Sequence, residues 1–352
     1  MNKCMKRWSA IILASTLGVS IVPTPVQSAS ILETALGGAA AMVYVEKELR
    51  RMDDEGQADI LKQTQAKTGY YENDAAQARI RNITDRIEVT PDVKRKYAVY
   101  VNPEEDFNAF MTIGGVMSFN KGALDKLDDD ALAYVVGHEI AHGEHRDVIN
   151  GLRKSIGTQT LVQIATAGSG VGGAILGDLA VNYIDNQVFT MGQEKTADKD
   201  GFKHFTAAGY NPGGAAAAMA ILRDEYGDKY REGLVSVLAP NNHPKTSSRV
   251  TENVKRMKEY SGNRVDVKEN TVYVNNKPIY APPAAGVYTG EVRAYIMAGK
   301  LAKLYHDNQM ENARITQDGT VVYVGDVRIV GVESESVASA IRDSLASAVA
   351  SK

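Results

Sequence analysis

The chain of 352 residues has one cysteine, one tryptophan and six histidines, and these scarcities narrow what it can be. A single cysteine, Cys4, excludes an internal disulfide and a cysteine-rich metal site, so any metal must be held by His or carboxylate ligands. Lys and Arg number 40 against 43 Asp and Glu, for a formal net charge of −3. No sustained basic tract appears, and no nucleic acid partner is expected. The longest clean apolar run, over residues 10–22, is shorter than the roughly 20 residues that a membrane span needs. What is present in quantity is apolar: 44% of the residues are hydrophobic, enough for a real core.

The start of the chain reads as an export signal. Lys3, Lys6 and Arg7 precede the apolar run, and small residues around Ser28 and Ala29 offer a cleavage site. Residues 1–29 are thus expected to be a signal peptide, and the protein to work in the periplasm or cell envelope. Cys4 lies in the charged part and not after the apolar run, so there is no lipobox and the mature chain has no cysteine.

Chemistry concentrates in Gly137-His138-Glu139-Ile140-Ala141-His142. Two histidines four residues apart on a helix point the same way, so both can ligate one Zn²⁺. Glu139 follows the first and is placed to take the proton of an attacking water. Asp128, Asp129 and Asp130 form an N-cap and acidic first turn for this helix, Leu132, Val135, Val136 and Ile140 make its core stripe, and it is expected to end near Asn150-Gly151.

Ahead of it, 31–86 reads as helices broken near Gly56 and Gly69, and Tyr97–Val101 as a strand. Asn108 to Asn120 reads as a strand, a Gly114-Gly115 turn and a second strand. That hairpin is either ordinary core or an edge that holds an extended peptide, with Asn108, Ala109, Phe110 and Gly115 as substrate-binding residues. Residues 155–190 are rich in Gly, Ala and small apolar side chains. They read as a lid or packed helical pair near the cleft, with peripheral membrane contact as the second reading.

Two histidines leave a tetrahedral site short of a protein ligand. Glu194 is the best third ligand, and Asp198, one helical turn later, is placed to orient a ligating His; a solvated charged helix is the competing reading of this stretch. His145 and His204 read as residues of solvated faces. Asn211 to Gly214 is a turn into a helix over 215–226, and 240–244 reads as a rigid loop before a helix over 249–260. Residues 261–265 look like a linker. After it, 271–279 and 321–329 resemble each other, each a strand, a polar turn and a strand, followed by a helix.

The ordered set of Gly137 to His142, Glu194-x-x-Ala197-Asp198, Asn108-Ala109-Phe110 with Gly114-Gly115, and His243-Pro244 with Arg249 resembles the M48 family of gluzincin metallopeptidases, the Ste24/HtpX/Oma1-like group, and most of all its exported bacterial members. The resemblance covers about 31–260. It implies a mainly helical zincin-like catalytic domain with a small β-sheet over 30–260; with the two hairpin-and-helix units read as a small α+β accessory domain over 266–352, the expected fold class is α+β. It also implies one Zn²⁺ on His138, His142 and Glu194, Glu139 as general base, Asp198 behind a ligand, and His243 and Arg249 as catalytic support. Shortly after the zinc motif this chain reads His145-Arg146-Asp147, which departs from the placement of a His in many exported members and is nearer the HtpX-like pattern. The expected activity is hydrolysis of protein or peptide substrates in the envelope, in quality control, with an envelope partner for the C-terminal domain. The alternative is a chaperone or interaction protein whose zinc site is closed.

Overall fold

Helix α5, Asp129–Glu144, lies inside the core: every residue from Ala131 to Gly143 is buried, the apolar stripe together with His138, Glu139 and His142. Its Asp128 N-cap accepts a hydrogen bond from the Ala131 amide at 2.9 Å. Leu132, Val136 and Ile140 are fully covered, each contributing about 1.5–3 kcal/mol of burial. The computed structural model describes residues 31–184, 189–228, 245–311 and 313–351. The expected signal peptide, His243 with the rest of the 240–244 loop, and 185–188 of the glycine-rich segment lie outside the described residues.

The elements before α5 are α1 (Ile31–Glu55), α2 (Gln57–Thr68), α3 (Asp74–Glu88), β1 (Ala98–Asn102), β2 (Ala109–Thr112), β3 (Val116–Asn120) and the short α4 (Lys121–Lys126). The expected breaks at Gly56 and Gly69 are where the helices part. In the sheet the order is β1-β3-β2, with β1 parallel and β2 antiparallel to the central β3, so β2 is an outer strand. A 3-10 turn, Ile113–Gly115, joins β2 to β3, and Gly114 and Gly115 both have positive φ, 79° and 66°, which a residue with Cβ resists. Buried Asp53 of α1 takes the Gly114 amide at 2.9 Å, and Gln57 of α2 donates to the Gly114 carbonyl at 2.8 Å.

Helix α5 stops earlier than expected. It ends at Glu144, and α6 (Asp147–Ser155) begins after Arg146, which adopts a left-handed φ of 54°. At this turn Arg146 pairs with Asp53 at 3.1 Å and Asp54 at 2.7 Å, both on α1, contacts that help to hold it. Helices α7 (Thr158–Thr166) and α8 (Gly168–Tyr183) form a packed pair, α7 against α1 and α8 against α2. Among the described residues no helix is long and apolar enough to cross a membrane.

Helix α9 (Met191–Ala207) packs along α5, and α10 (Gly213–Tyr226) and α11 (Thr246–Tyr260) complete the layer. Beyond them come two sheets of three antiparallel strands, β4-β5-β6 and β7-β8-β9, each followed by a helix. The first unit is β4 (Val265–Lys268), β5 (Thr271–Val274), β6 (Lys277–Tyr280) and α12 (Gly290–His306); the second is β7 (Ile315–Asp318), β8 (Val321–Val324), β9 (Val327–Gly331) and α13 (Glu335–Ala350). The units agree in detail. Register shifts fall at Val272/Tyr273 and Val322/Tyr323, and the turn amides of Asn275 and Gly325 donate to the carbonyls of Arg264 and Arg314. Helix α12 also packs on α10 and α11, so this C-terminal part shares an apolar surface with the helices before it. Among the described residues the architecture is mainly helical with three small sheets, the expected α+β class.

Candidate active site

His138 and His142 lie one turn apart on α5, with ring centroids 4.8 Å apart and planes nearly perpendicular. Glu194 enters from the first turn of α9. Its Oε2 is 3.8 Å from His138 Nε2 and its Oε1 is 3.6 Å from His142 Nε2. The three residues offer ligand atoms that all lie within 4.8 Å of one another. All three are buried, and His138 Nε2, His142 Nε2 and Glu194 Oε1 have no hydrogen-bond partner in the protein. Converging buried atoms without partners are costly to a fold, and these separations suit donors that share an ion at about 2.0–2.2 Å from each. The residues therefore fit a zinc-type ion.

Each histidine has a carboxylate behind it. His138 Nδ1 lies 3.1 Å from Asp198 Oδ1, close in distance though off the best hydrogen-bond direction. His142 Nδ1 makes a 2.9 Å hydrogen bond with Asp147 Oδ2. Asp198 is held further by Tyr134, whose hydroxyl donates at 2.8 Å, and by Arg249, which donates twice, at 3.0 and 2.6 Å. Asn253 donates to the Tyr134 hydroxyl at 3.2 Å. Burial opposes charge on Asp198, but the Arg249 guanidinium and then His138 hold its carboxyl well below the usual range. Burial likewise disfavours charge on His142 and Glu194; the Asp147 and Glu194 carboxylates push His142 up, and His142 in turn holds Glu194 low.

Glu139 is 4% exposed and adjoins His138. With His138, Asn108, Ala109, Met219 and Arg249 it lines a cavity of about 20 Å³, roughly what one water needs. The structure thus gathers the metal triad, Glu139, Asp198, Arg249, Asn108 and Ala109. Phe110 and Gly115 do not line that cavity; Gly115 faces Tyr97 and Gln57 instead. Arg249 is anchored on Asp198 and stands 3.8 Å from Glu194, so its main partner is a supporting carboxylate. His145 is 43% exposed at its side chain and pairs with Asp200 at 2.8 Å. His204, by contrast, is buried at 5% exposure, not solvated, because its face of α9 also carries Ala197, Gly201 and Phe205 into the core.

Four contributors escape a reading of the sequence. Asp147 follows a helix break that no local signal announces. Tyr134 is hidden in an apolar run. Phe189 precedes α9 and Gln193 lies in its first turn, where Thr190 and Gln193 form a capping box whose T-x-x-Q spacing is the sequence signal for it. Phe189 stacks on the His142 ring at 4.0 Å and 16°.

Comparison with known proteins agrees with this geometry. Residues 72–257 match the sequence model of peptidase family M48, a stretch that holds the whole triad. Metalloprotease LoiP of Escherichia coli K12 is 28% identical over 157 residues, 44% of this chain and 59% of the relative. A putative beta-barrel assembly-enhancing protease of Vibrio cholerae is 27% identical over 179 residues, 48% of this chain and 36% of the relative. The aligned stretches thus span between about a third and three fifths of these relatives.

Proposed function

This chain belongs to peptidase family M48, and on that premise we propose that it is a zinc-dependent endopeptidase acting on proteins of the cell envelope. The observation that carries the reading is the convergence of His138 Nε2, His142 Nε2 and Glu194 Oε1, buried and unpartnered, beside Glu139. A zinc ion held there would supply Lewis acidity, polarising a peptide carbonyl and lowering the pKa of a water. Glu139 accepts the proton of the attacking water and passes it to the leaving amine. His138 and His142 present their Nε2 atoms to the ion, and Asp198 and Asp147 hold the rings from behind. Arg249 keeps Asp198 ionised, and its fixed positive charge lies at the edge of the cavity where a carbonyl oxygen gains negative charge. Outer strand β2, with Asn108 and Ala109 at the cavity, supports an extended peptide backbone lying beside α5. His243 is assigned to the same cleft by resemblance alone.

Export to the periplasm or envelope, a role in quality control of envelope proteins and membership of the exported bacterial branch belong to the same proposal; the pattern of 1–29 supports export, and one similar protein is described as a putative beta-barrel assembly-enhancing protease. The paired units over 266–352 serve in it as a module for an envelope partner, and 155–190 as the segment nearest a membrane surface. Casein cleavage by the purified protein, lost on chelation and regained with Zn²⁺, is the expected result. Cleavage that is indifferent to chelator contradicts it.

A further inference from the structure

His142 is held by more than its neighbour on α6. Asp147, 5% exposed, gives Oδ2 to His142 Nδ1 at 2.9 Å and receives on Oδ1 a 2.7 Å hydrogen bond from Gln193 Nε2. The orientation of the Gln193 amide is fixed from its other end, because Oε1 accepts from both the amide and the hydroxyl of Thr190, each at 2.9 Å. Only the NH₂ group is then left to face Asp147, which is the end that can donate to a carboxylate. A carboxylate accepts only, so the Nδ1 of a neutral His142 carries the hydrogen and Nε2 keeps its lone pair for the side where Glu194 stands.

Gln193 is also the residue immediately before Glu194, in the turn that the capping box shapes. The turn of α9 that delivers the third ligand therefore braces the second ligand through Asp147, while Asp198, one turn on, supports the first. Phe189, just ahead of the box, covers the His142 ring.

We propose that Thr190, Gln193 and Asp147 form a positioning relay that sets the tautomer of His142 and couples it to Glu194, so that retention of the metal depends on the start of α9. None of the three touches substrate in this scheme; they act through His142. The proposal rests on the triad being a metal site. Outer-shell partners of this kind typically change metal affinity by about 10- to 100-fold.

The test is the rate at which the full-length zinc-loaded protein gives up its metal to a chromophoric chelator, with near-ultraviolet circular dichroism of each metal-free variant as the check on folding. Asp147→Ala is expected to release zinc about 10- to 100-fold faster than the parent, and Gln193→Ala several-fold faster. In the Asp147→Ala background, Gln193→Ala should add little, because the relay is already cut. Gln193 is half-exposed, so its variant keeps the test open even if Asp147→Ala folds poorly. Parental release rates in both single variants, or a full-sized Gln193→Ala effect without Asp147, would overturn the relay and leave the metal site standing. A parent protein that takes up no zinc overturns both.

Discussion

Gly137 and Gly201 meet where the two ligand-bearing helices cross, and neither has room for a methyl group. A Cβ on Gly137 would stand 2.7 Å from the Gly201 carbonyl oxygen, and one on Gly201 would stand 2.7 Å from the His138 amide nitrogen. Both contacts are with backbone, which cannot swing aside. The close approach of α5 and α9 is what puts Glu194 within 4 Å of both histidines.

Gly201→Ala should push α9 away from α5 and weaken both the fold and the site. Overpacking of this kind costs about 1–3 kcal/mol. Denaturant titration of the metal-free protein and zinc affinity by competition should fall together. Parental affinity in this variant would show that the helix spacing does not set the triad.

Arg249 and Asp198 form a buried ion pair whose halves are costly apart. Arg249→Ala leaves the Asp198 carboxylate without its main partner and should destabilise the metal-free protein by about 3–5 kcal/mol. Adding Asp198→Asn should restore part of that loss, a coupling that a double-mutant cycle reads directly. Additive effects in the cycle would separate the two residues energetically.

Stability should also fall on mild acidification, through His204. Burial pulls this imidazole below its ordinary value, against Asp200, Glu144 and Asp92 nearby and with Lys203 acting in the same sense as burial. A histidine whose folded pKa is depressed binds more protons unfolded, so stability is present above about 6.5 and drains as pH drops through the folded value. His204→Leu should flatten the fall of unfolding free energy as pH drops below about 6.5. An unchanged slope would place the acid sensitivity elsewhere.

Gly299→Ala should disturb the catalytic helices from the C-terminal side. A Cβ there would run into Asn211 and the backbone of Gly213, where α12 crosses the start of α10. One cooperative thermal transition, lowered as a whole, is the expected result. Two transitions, only one of them shifted, would mean that the C-terminal units fold on their own.

Part of the site was legible because helix periodicity fixes it: His138, Glu139 and His142 lie within about a turn on α5, and Glu194 and Asp198 lie one turn apart on α9, so spacing aligns the residues within each helix, while joining the two helices at one site rested on the family resemblance. The support behind His142 was not. It depends on a left-handed Arg146 that turns the chain between α5 and α6 and that pairs with acids of α1, nearly a hundred residues away in sequence. The strands β5 and β6 were readable from their polar turns, whereas Val265–Lys268 and Ile315–Asp318 were not. Each has four residues and no run of apolar side chains, and the strand that pairs with it is what makes it a strand. The burial of His204 was not legible either, because Lys199, Asp200 and Lys203 lie just before it in sequence while tertiary packing covers its face of α9.

The most direct test of the account is a comparison of the parent with Glu139→Gln, in which bound zinc and the rate of peptide cleavage are measured on the same samples. The account predicts one zinc per chain in both, since Glu139 is not a ligand, and loss of cleavage by several orders of magnitude in the variant. Cleavage at the parental rate by a zinc-loaded Glu139→Gln protein would contradict it.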